Sequence, residues 1–304
     1  MTKRIKYLLV LNVVLLALIS LSLQRTQESS TLDRMATAFA VQDTAQLGAV
    51  RMGKLVLRRE KGQTWSVNKK YLASPGRIDQ LLAMFPRLEV KRPASESIKE
   101  ELKTAFEEQG FLLETYSSEG LMKQYPMVSF QGEAYAMLEE DDPYALYVPG
   151  YRENVAEWLS PNSVQAWRDR HVLYATWRTM KELNIEVPER PEQNLEIVFE
   201  DDFYRVKGVE QLDSLKLYNY VSQYVRFEAE KYLDLSADAP IFKSDPAVKI
   251  RIEDLSREFP AVMELYPRED SLYGWLPETQ EAVLLNPQAM SGILQPSSIF
   301  ERKE

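Results

Sequence analysis

A chain of 304 residues that is 45% hydrophobic and 27% charged has the composition of a globular protein and is long enough for two domains. Its net charge of -9 disfavours nucleic acid and anionic membrane surfaces as partners. The chain has no cysteine, which excludes disulfides, thiol nucleophiles, iron–sulfur clusters and most structural zinc sites.

The N-terminal segment has the pattern of a membrane anchor. Basic residues precede an uncharged apolar run over residues 7–23, a length at the short end of what spans a bilayer as a helix. Positive charge before the run predicts a cytoplasmic N-terminus, and leucines where a signal peptidase needs small residues favour a retained anchor over a cleaved signal. The residues that we assign to the anchor include Tyr7, Leu8, Leu11, Leu15, Leu18 and Leu23. We therefore expect a single-pass bacterial inner-membrane protein, with residues 1–24 as the anchor, 25–38 as a tether and the rest of the chain periplasmic.

Residues 39–190 predict a first α+β lobe. Alternating apolar residues over 55–67, interrupted by Gly62, predict a hairpin. Ser74-Pro75 predicts a capped helix start, and the following apolar stripe predicts one helix face, formed by Ile78, Leu81, Leu82 and Phe85. A second helix is expected from Ser97, with Glu100 completing a capping box, to Gly110. A β-meander is then expected, with strands over residues 111–116, 127–130, 134–138 and 144–148.

Residues 191–304 predict a second lobe with a similar order of elements, after a linker between Pro188 and Pro191. Strands are expected over residues 195–199 and 203–206, followed by a helix with one apolar line that runs through Leu217, Val221, Tyr224 and Glu228. Further strands are expected over residues 248–252, 261–265 and 272–276. The fold class predicted is thus α+β: a transmembrane helix followed by two similar β-rich lobes, each a hairpin, a helix and a meander.

A local sequence match supports an internal duplication. Leu146-Tyr147-Val148-Pro149 with a later Val155 aligns with Gly274-Trp275-Leu276-Pro277 and a later Val283, and a two-residue gap then aligns Pro161 with Pro287. The period is too long for a solenoid, so two pseudo-equivalent lobes are expected.

Several segments resemble a known family. They are Phe39-Ala-Val-Gln-Asp-Thr44, Leu55-Val-Leu-Arg58, Trp65-Ser-Val-Asn-Lys-Lys-Tyr71, Ile78-Asp-Gln-Leu-Leu82, Tyr147-Val-Pro-Gly-Tyr151 and Trp167-Arg-Asp-Arg170. Together they resemble the "domain of unknown function 4340" proteins, in the membrane-anchored form common in Bacteroidetes, over roughly residues 39 to 210. The resemblance implies a β-rich periplasmic domain, an envelope-transport context and exporter subunits as partners, and it implies no catalytic residues.

The residues that could carry chemistry do not form a recognised motif. The single histidine, His171, has no partner at a spacing typical of a catalytic triad or a metal site, and the Arg168-Asp169 pair before it suits a structural ion pair or a cap. Acidic runs at residues 139–142 and 200–202 are typical of exposed turns, although a carboxylate pair for hydrolysis or calcium remains an alternative. The 11 glycines form no phosphate-binding loop, so neither a nucleotide nor another cofactor is expected.

Four tyrosines supply the candidate interaction surface. They are Tyr218, Tyr220, Tyr224 and Tyr232, whose spacing on one predicted helix requires that some of them face solvent. The function expected is that of a non-catalytic accessory or scaffold protein in a cell-envelope assembly of the transport, secretion or gliding type. Two alternatives stay open: a peptidoglycan- or glycan-binding module that uses exposed aromatic residues, and a carboxylate-dependent hydrolase.

Overall fold

The computed structural model describes residues 36–138, 142–161 and 163–302. Within these ranges the protein is β-rich with few helices, an α+β fold that is mostly β. No helix in the described ranges is both long and apolar enough to cross a bilayer. The predicted anchor, residues 1–24, lies outside them. The chain divides into two compact units, residues 1–168 and 169–304.

The first unit is built on one nine-stranded antiparallel sheet in the order β4-β3-β2-β1-β6-β7-β8-β9-β5. The strands are β1 (Ala49–Met52), β2 (Leu55–Arg59), β3 (Trp65–Val67), β4 (Tyr71–Leu72), β5 (Glu89–Pro93), β6 (Phe111–Ser117), β7 (Gly120–Phe130), β8 (Glu133–Ala136) and β9 (Tyr144–Tyr147). The helices are α1 (Pro75–Met84), α2 (Lys99–Gln109), α3 (Val155–Trp158) and α4 (Val164–Trp167).

Strict alternation places one face of β1 and β2 in the core of the first unit. Val50 pairs with Leu57 and both are buried, whereas Arg51 and Arg58 lie on the opposite, exposed face. This is the pattern of a sheet with one covered and one solvated face. The predicted hairpin over residues 55–67 is confirmed by β2 and β3, which pair antiparallel with Leu57 opposite Val67 across the turn that contains Gly62. The short β1–β2 turn uses Gly53 at a φ of 55°, a left-handed conformation that suits glycine.

The two longer helices of the first unit, α1 and α2, lie where the apolar spacing predicts them, but their capping differs from the prediction. Pro75 opens α1, yet the Ser74 hydroxyl makes no capping hydrogen bond. The predicted capping box of Ser97 and Glu100 is also wrong. The chain enters α2 through a 3-10 turn, and the hydroxyl of Ser95 accepts the N–H of Ser97 at 3.3 Å. A residue that is itself inside a turn cannot serve as the helix N-cap.

The second unit contains an eight-stranded antiparallel sheet in the order β13-β12-β11-β16-β17-β18-β19-β15 and a two-stranded sheet of β10 and β14. The strands are β10 (His171–Leu173), β11 (Met180–Glu186), β12 (Leu195–Glu200), β13 (Phe203–Val206), β14 (Phe227–Glu228), β15 (Lys231–Leu233), β16 (Val248–Asp254), β17 (Ala261–Arg268), β18 (Ser271–Leu276) and β19 (Glu281–Leu285). The helices are α5 (Ser214–Ser222) and α6 (Ala289–Ile293).

Helix α5 covers the core of the second unit and is shorter than predicted. Asp213 caps it, because its Oδ1 accepts the N–H groups of Leu215 and Lys216, each at 3.1 Å. The predicted apolar line continues to Glu228, but the helix ends at Ser222 and passes through a 3-10 turn into β14, which contains Glu228. The short strand β14, which pairs with β10, thereby takes the place of the last predicted helical turn.

The two larger sheets share one strand order. Apart from β4, the first reads β3-β2-β1-β6-β7-β8-β9-β5 and the second β13-β12-β11-β16-β17-β18-β19-β15. Along the chain, each unit forms three strands of its large sheet, then a helix and an edge strand, and finally a four-stranded meander. The local match of Leu146 with Gly274 does not follow this correspondence, because it aligns β9 with β18, whereas β19 has the place of β9 in the strand order.

The division between the units also falls earlier than the predicted boundary between residues 190 and 191. Strand β11 pairs with both β12 and β16, so residues 180–186 belong to the second sheet. The unit boundary lies at Arg168 and Asp169, and the predicted boundary lies inside the second unit.

Candidate functional site

A groove lined by aromatic and aliphatic side chains opens on the second unit, where strand ends of the large sheet meet the start of α5. Its volume is about 560 Å³. We call it the aromatic groove and define it by Trp177, Phe199, Phe203, Tyr204, Leu212 and Leu255. These residues come from separate segments, so the groove exists only once the sheet and helix have assembled.

Contacts between rings form the base of the aromatic groove. The rings of Trp177 and Tyr204 have centroids 4.3 Å apart, and Tyr204 also contacts Phe199 at 5.0 Å. Tyr218, on α5, packs edge-on against Trp177 at 5.7 Å. Each such pair adds about 0.5–1.5 kcal/mol to the apolar burial. The helix and the sheet are thus joined through Trp177.

Tyr204 is hydrogen-bonded to two backbone carbonyl groups at the base of the groove. Its hydroxyl lies 2.7 Å from the carbonyl oxygen of Trp177 and 2.8 Å from that of Met180. Burial and the nearby Asp254 carboxylate raise the pKa of Tyr204 to about 12. The hydroxyl therefore stays protonated at neutral pH and donates to these carbonyl oxygens.

Asp254 joins the two segments that carry Trp177 and Leu255. It accepts the hydroxyl of Thr179 at 2.7 Å and the N–H and hydroxyl of Ser256 at 2.8 and 2.5 Å. Burial acts to raise the pKa of Asp254, but the hydrogen bonds from Ser256 and Thr179 outweigh it and hold the pKa below its ordinary value. Asp254 is thus a buried carboxylate that positions the groove without lining it.

The mouth of the groove exposes large apolar side chains. Phe203 is 71% exposed, Leu255 64% and Phe199 45%. Two further exposed residues lie on α5, Leu215 and Tyr218. Scattered exposed apolar residues are ordinary, but a group around one concave site is typical of an interaction surface.

Three charged residues line the same groove. Arg178 and Lys181 carry positive charge and Asp202 negative charge. Among the residues that the structure describes, none of the three takes part in an ion pair. The groove thus combines an apolar base with a net positive rim.

His171 belongs to a network of polar contacts at the two-stranded sheet and does not line the aromatic groove. Its Nδ1 lies 2.6 Å from Asp169 Oδ1 and its Nε2 3.3 Å from Glu228 Oε1. Arg170 also contacts Glu228, at 3.4 Å. Both ring nitrogens face carboxylates, whereas a catalytic triad directs one of them at a nucleophile. The arrangement joins β10 to β14 and has no evident catalytic geometry.

Arg168 and Asp169, for which the sequence predicts an ion pair or a cap, contact Tyr71 and His171 respectively. The guanidinium of Arg168 lies over the ring of Tyr71, 4.1 Å from its centroid. Asp169 Oδ1 accepts the backbone N–H of His171 at 3.1 Å, and because His171 opens strand β10, this contact is a turn before a strand and not a helix cap.

The acidic runs lie on turns where they are described. Residues 139–141 lie outside the described ranges, and Asp142 pairs with Lys99 at 2.9 Å. Asp201 and Asp202 form the β12–β13 turn with positive φ values of 52° and 68°, and Asp201 pairs with Arg205 at 3.0 Å. No cluster of acidic or histidine side chains in the described part of the chain has the arrangement of a metal site.

The four predicted interaction tyrosines have different environments. Tyr220 and Tyr224 are buried, and the Tyr220 hydroxyl donates to the carbonyl oxygen of Ile293 at 2.7 Å, so neither forms a surface. Tyr232 lies half-buried on β15, where its hydroxyl donates to the Asp169 carbonyl. Tyr218 is 48% exposed and contacts Trp177 of the groove.

Most of the groove could not be predicted from the sequence, although the alternation of residues in two strands gave some indication of it. In β13, Tyr204 and Val206 are buried on one face of the strand. Phe203 alternates with them, so its apolar side chain lies on the exposed face. Leu255 is likewise an apolar residue next to a buried one, because it directly follows Asp254, the last residue of β16. Nothing local in the sequence brings Trp177 to these residues.

Comparisons with known proteins supply no relative. No protein-family model matches the chain. No curated protein and no solved structure matches it either.

Proposed function

We propose that the chain is a non-catalytic accessory or scaffold protein of a cell-envelope assembly and that it binds a partner protein through the aromatic groove. The observation that carries the proposal is the group of exposed apolar side chains around that one concave site. Burying such side chains against a partner contributes about 25 cal/mol for each Å² of apolar surface removed from water.

The occupant is a segment of the partner that carries a large apolar side chain next to acidic ones. The groove base formed by Trp177 and Tyr204 suits an apolar or aromatic anchor, the kind of residue that dominates binding energy. Arg178 and Lys181 outnumber Asp202 on the rim, so acidic residues beside the anchor complement the charge.

The cellular setting is part of the same proposal. The basic start and apolar run of residues 1–24 support a retained anchor in the bacterial inner membrane with the bulk of the chain in the periplasm. The resemblance to the family named above supports exporter subunits as partners. The shared strand order of the two large sheets supports an internal duplication of one hairpin, helix and meander lobe.

Co-purification in mild detergent tests the proposal with the full chain. The variant Phe203→Ser with Leu255→Ser removes exposed apolar surface from the groove mouth, and Leu121→Ser removes a side chain of similar exposure from the first unit. We expect wild type and Leu121→Ser to retain one envelope protein, identified by mass spectrometry, and the double variant to lose it. A lone monomer under all conditions, or retention by the double variant, contradicts the proposal.

A glycan-binding module is the second candidate function, because Trp177, Tyr204 and Tyr218 bring aromatic rings together beside polar groups. Retention on purified peptidoglycan separates it from the first. A glycan module is retained, and Tyr218→Ala abolishes the retention. We expect no retention of wild type.

A hydrolase needs a facing carboxyl pair in which one pKa is raised. Burial raises the pKa of Glu278 above its ordinary value and outweighs the effects of Arg257 and the Val262 N–H. Arg257 is the charged group that acts on it, and none of the acidic residues in the described ranges does. We expect no hydrolysis of cell-wall fragments by wild type, and activity that Glu278→Gln abolishes supports the hydrolase instead.

A further inference from the structure

A second concave site lies on the first unit and is basic, although the chain is acidic overall. Its volume is about 790 Å³. We call it the basic hollow and define it by its four cationic lining residues, Arg51, Lys54, Arg58 and Arg59. No carboxylate side chain lines it. It is independent of the aromatic groove, which belongs to the other unit.

Strand register gathers these cations on one hairpin. Arg51 on β1 pairs with Val56 and Arg58 on β2 pairs with Ala49, so Arg51 and Arg58 project from the same exposed face of the sheet. Lys54 lies in the two-residue turn beside Gly53. Arg51 and Arg58 are thus diagonal neighbours on one face, where their like charges repel one another and an anion would favour both.

The charges of the basic hollow are only partly neutralised by the protein. Arg51 Nε lies 3.5 Å from Glu114 Oε2, and this is its ion pair. Lys54 and Arg58 are exposed and form no ion pair with any residue in the described ranges. Their ammonium and guanidinium groups remain available to a ligand.

Arg59 forms a fixed wall of the basic hollow. Its Nη1 donates to the carbonyl oxygen of Ala45 at 2.7 Å and its Nη2 to that of Thr44 at 3.1 Å. Its guanidinium also lies 5.2 Å from the ring centroid of Trp65. The Nε–H is buried without an acceptor among the described residues, so it is not a donor that the hollow offers to a ligand. A charge held in this way loses little side-chain entropy when a ligand binds.

We propose that the basic hollow binds a ligand with two or more phosphate groups. Guanidinium groups match phosphate oxygens with paired hydrogen bonds, and a lysine adds a mobile point charge. The volume of the hollow is much larger than a ligand with a single carboxylate group would fill. The Tyr116 hydroxyl donates to Glu114 at 2.6 Å, and no other aromatic residue lines the hollow, so the recognition is of the phosphates and not of a stacked base.

Two sources carry this chemistry, a soluble polyphosphate and the headgroups of an anionic membrane. Calorimetric titration of the purified protein with tripolyphosphate tests the first. Co-sedimentation with phosphatidylglycerol vesicles, compared with neutral phosphatidylcholine vesicles, tests the second. Binding to either probe that weakens as salt concentration rises supports the proposal and identifies the source.

Charge variants locate the binding. Lys54→Gln with Arg58→Gln removes the two unpaired cations, both of them exposed, so folding is retained. Lys103→Gln removes an exposed charge from α2 of the same unit as a control. We expect the double variant to bind about tenfold more weakly or worse and the control to bind like wild type. Absence of binding to both probes, or equal losses in the double variant and the control, overturns the proposal.

Discussion

Replacing Asp254 with asparagine tests how the aromatic groove is held together. Asp254 Oδ2 accepts the Thr179 hydroxyl, and Oδ1 accepts both the N–H and the hydroxyl of Ser256. The Leu255 N–H in turn donates to the Thr179 carbonyl oxygen at 2.8 Å. Asp254→Asn keeps the size and one acceptor oxygen, but it removes the charge and places an amide NH₂ against Thr179 or Ser256.

The cost follows from these contacts. A hydrogen bond to a charged group contributes about 1.5–3 kcal/mol, and the variant loses one such bond outright and weakens the others. We expect the free energy of unfolding to fall by about 2–3 kcal/mol at pH 7. Because the pKa of Asp254 is lowered in the folded state, its stabilisation is complete above the ordinary aspartate pKa of about 3.9 and is lost as the pH falls through the folded value.

Urea denaturation at pH 7 and near pH 3 measures both effects. The midpoint for Asp254→Asn should lie below that of wild type at pH 7, with the same slope, and the difference should shrink at the lower pH. Asp234→Asn is the control, since Asp234 is exposed and makes no hydrogen bond or ion pair among the described residues. Equal midpoints at pH 7, or a difference as large near pH 3, would refute the reasoning.

Two further substitutions test the packing of the second unit. Gly274→Ala should lower the free energy of unfolding by about 1–3 kcal/mol, because its Cβ would lie 2.8 Å from Val283 Cγ2 inside the sheet. Gly76→Ala, on α1, has open space and should leave stability unchanged or raise it by up to about 1 kcal/mol, so equal losses in the two glycine variants contradict this account. Tyr220→Phe should cost about 0.5–1.5 kcal/mol in urea denaturation, because the Ile293 carbonyl oxygen loses the Tyr220 hydroxyl and keeps the Gln295 N–H as its donor, and an unchanged midpoint argues against the tyrosine hydrogen bond.

Much of the secondary structure could be predicted from periodicity. The stripe of Ile78 and Leu81 on α1 and the alternation of Leu55 and Leu57 on β2 are both buried as the spacing requires. Strand β11 was missed, so the boundary was predicted too late. Its place is decided by pairing with β16, which is distant in sequence, and no local pattern reports that contact.

The candidate sites could be predicted far less well. Helical spacing required that some of the tyrosines on one helix be exposed, and it could not separate the exposed Tyr218 from the buried Tyr220. The groove needs Trp177 beside Tyr204 and Leu255 at the end of another strand, which only the assembled sheet provides. The basic hollow depends in the same way on the register that aligns Arg51 with Arg58.

Site-specific photo-crosslinking in cells tests the central claim, that the aromatic groove contacts a partner protein. A photoreactive amino acid replaces Phe203, which is 71% exposed at the groove, or Leu121, which is 52% exposed on the first unit. We predict a cross-link from position 203 to one envelope protein, identified by mass spectrometry, and none to that protein from position 121. No cross-link from position 203, or the same product from both positions, contradicts the account.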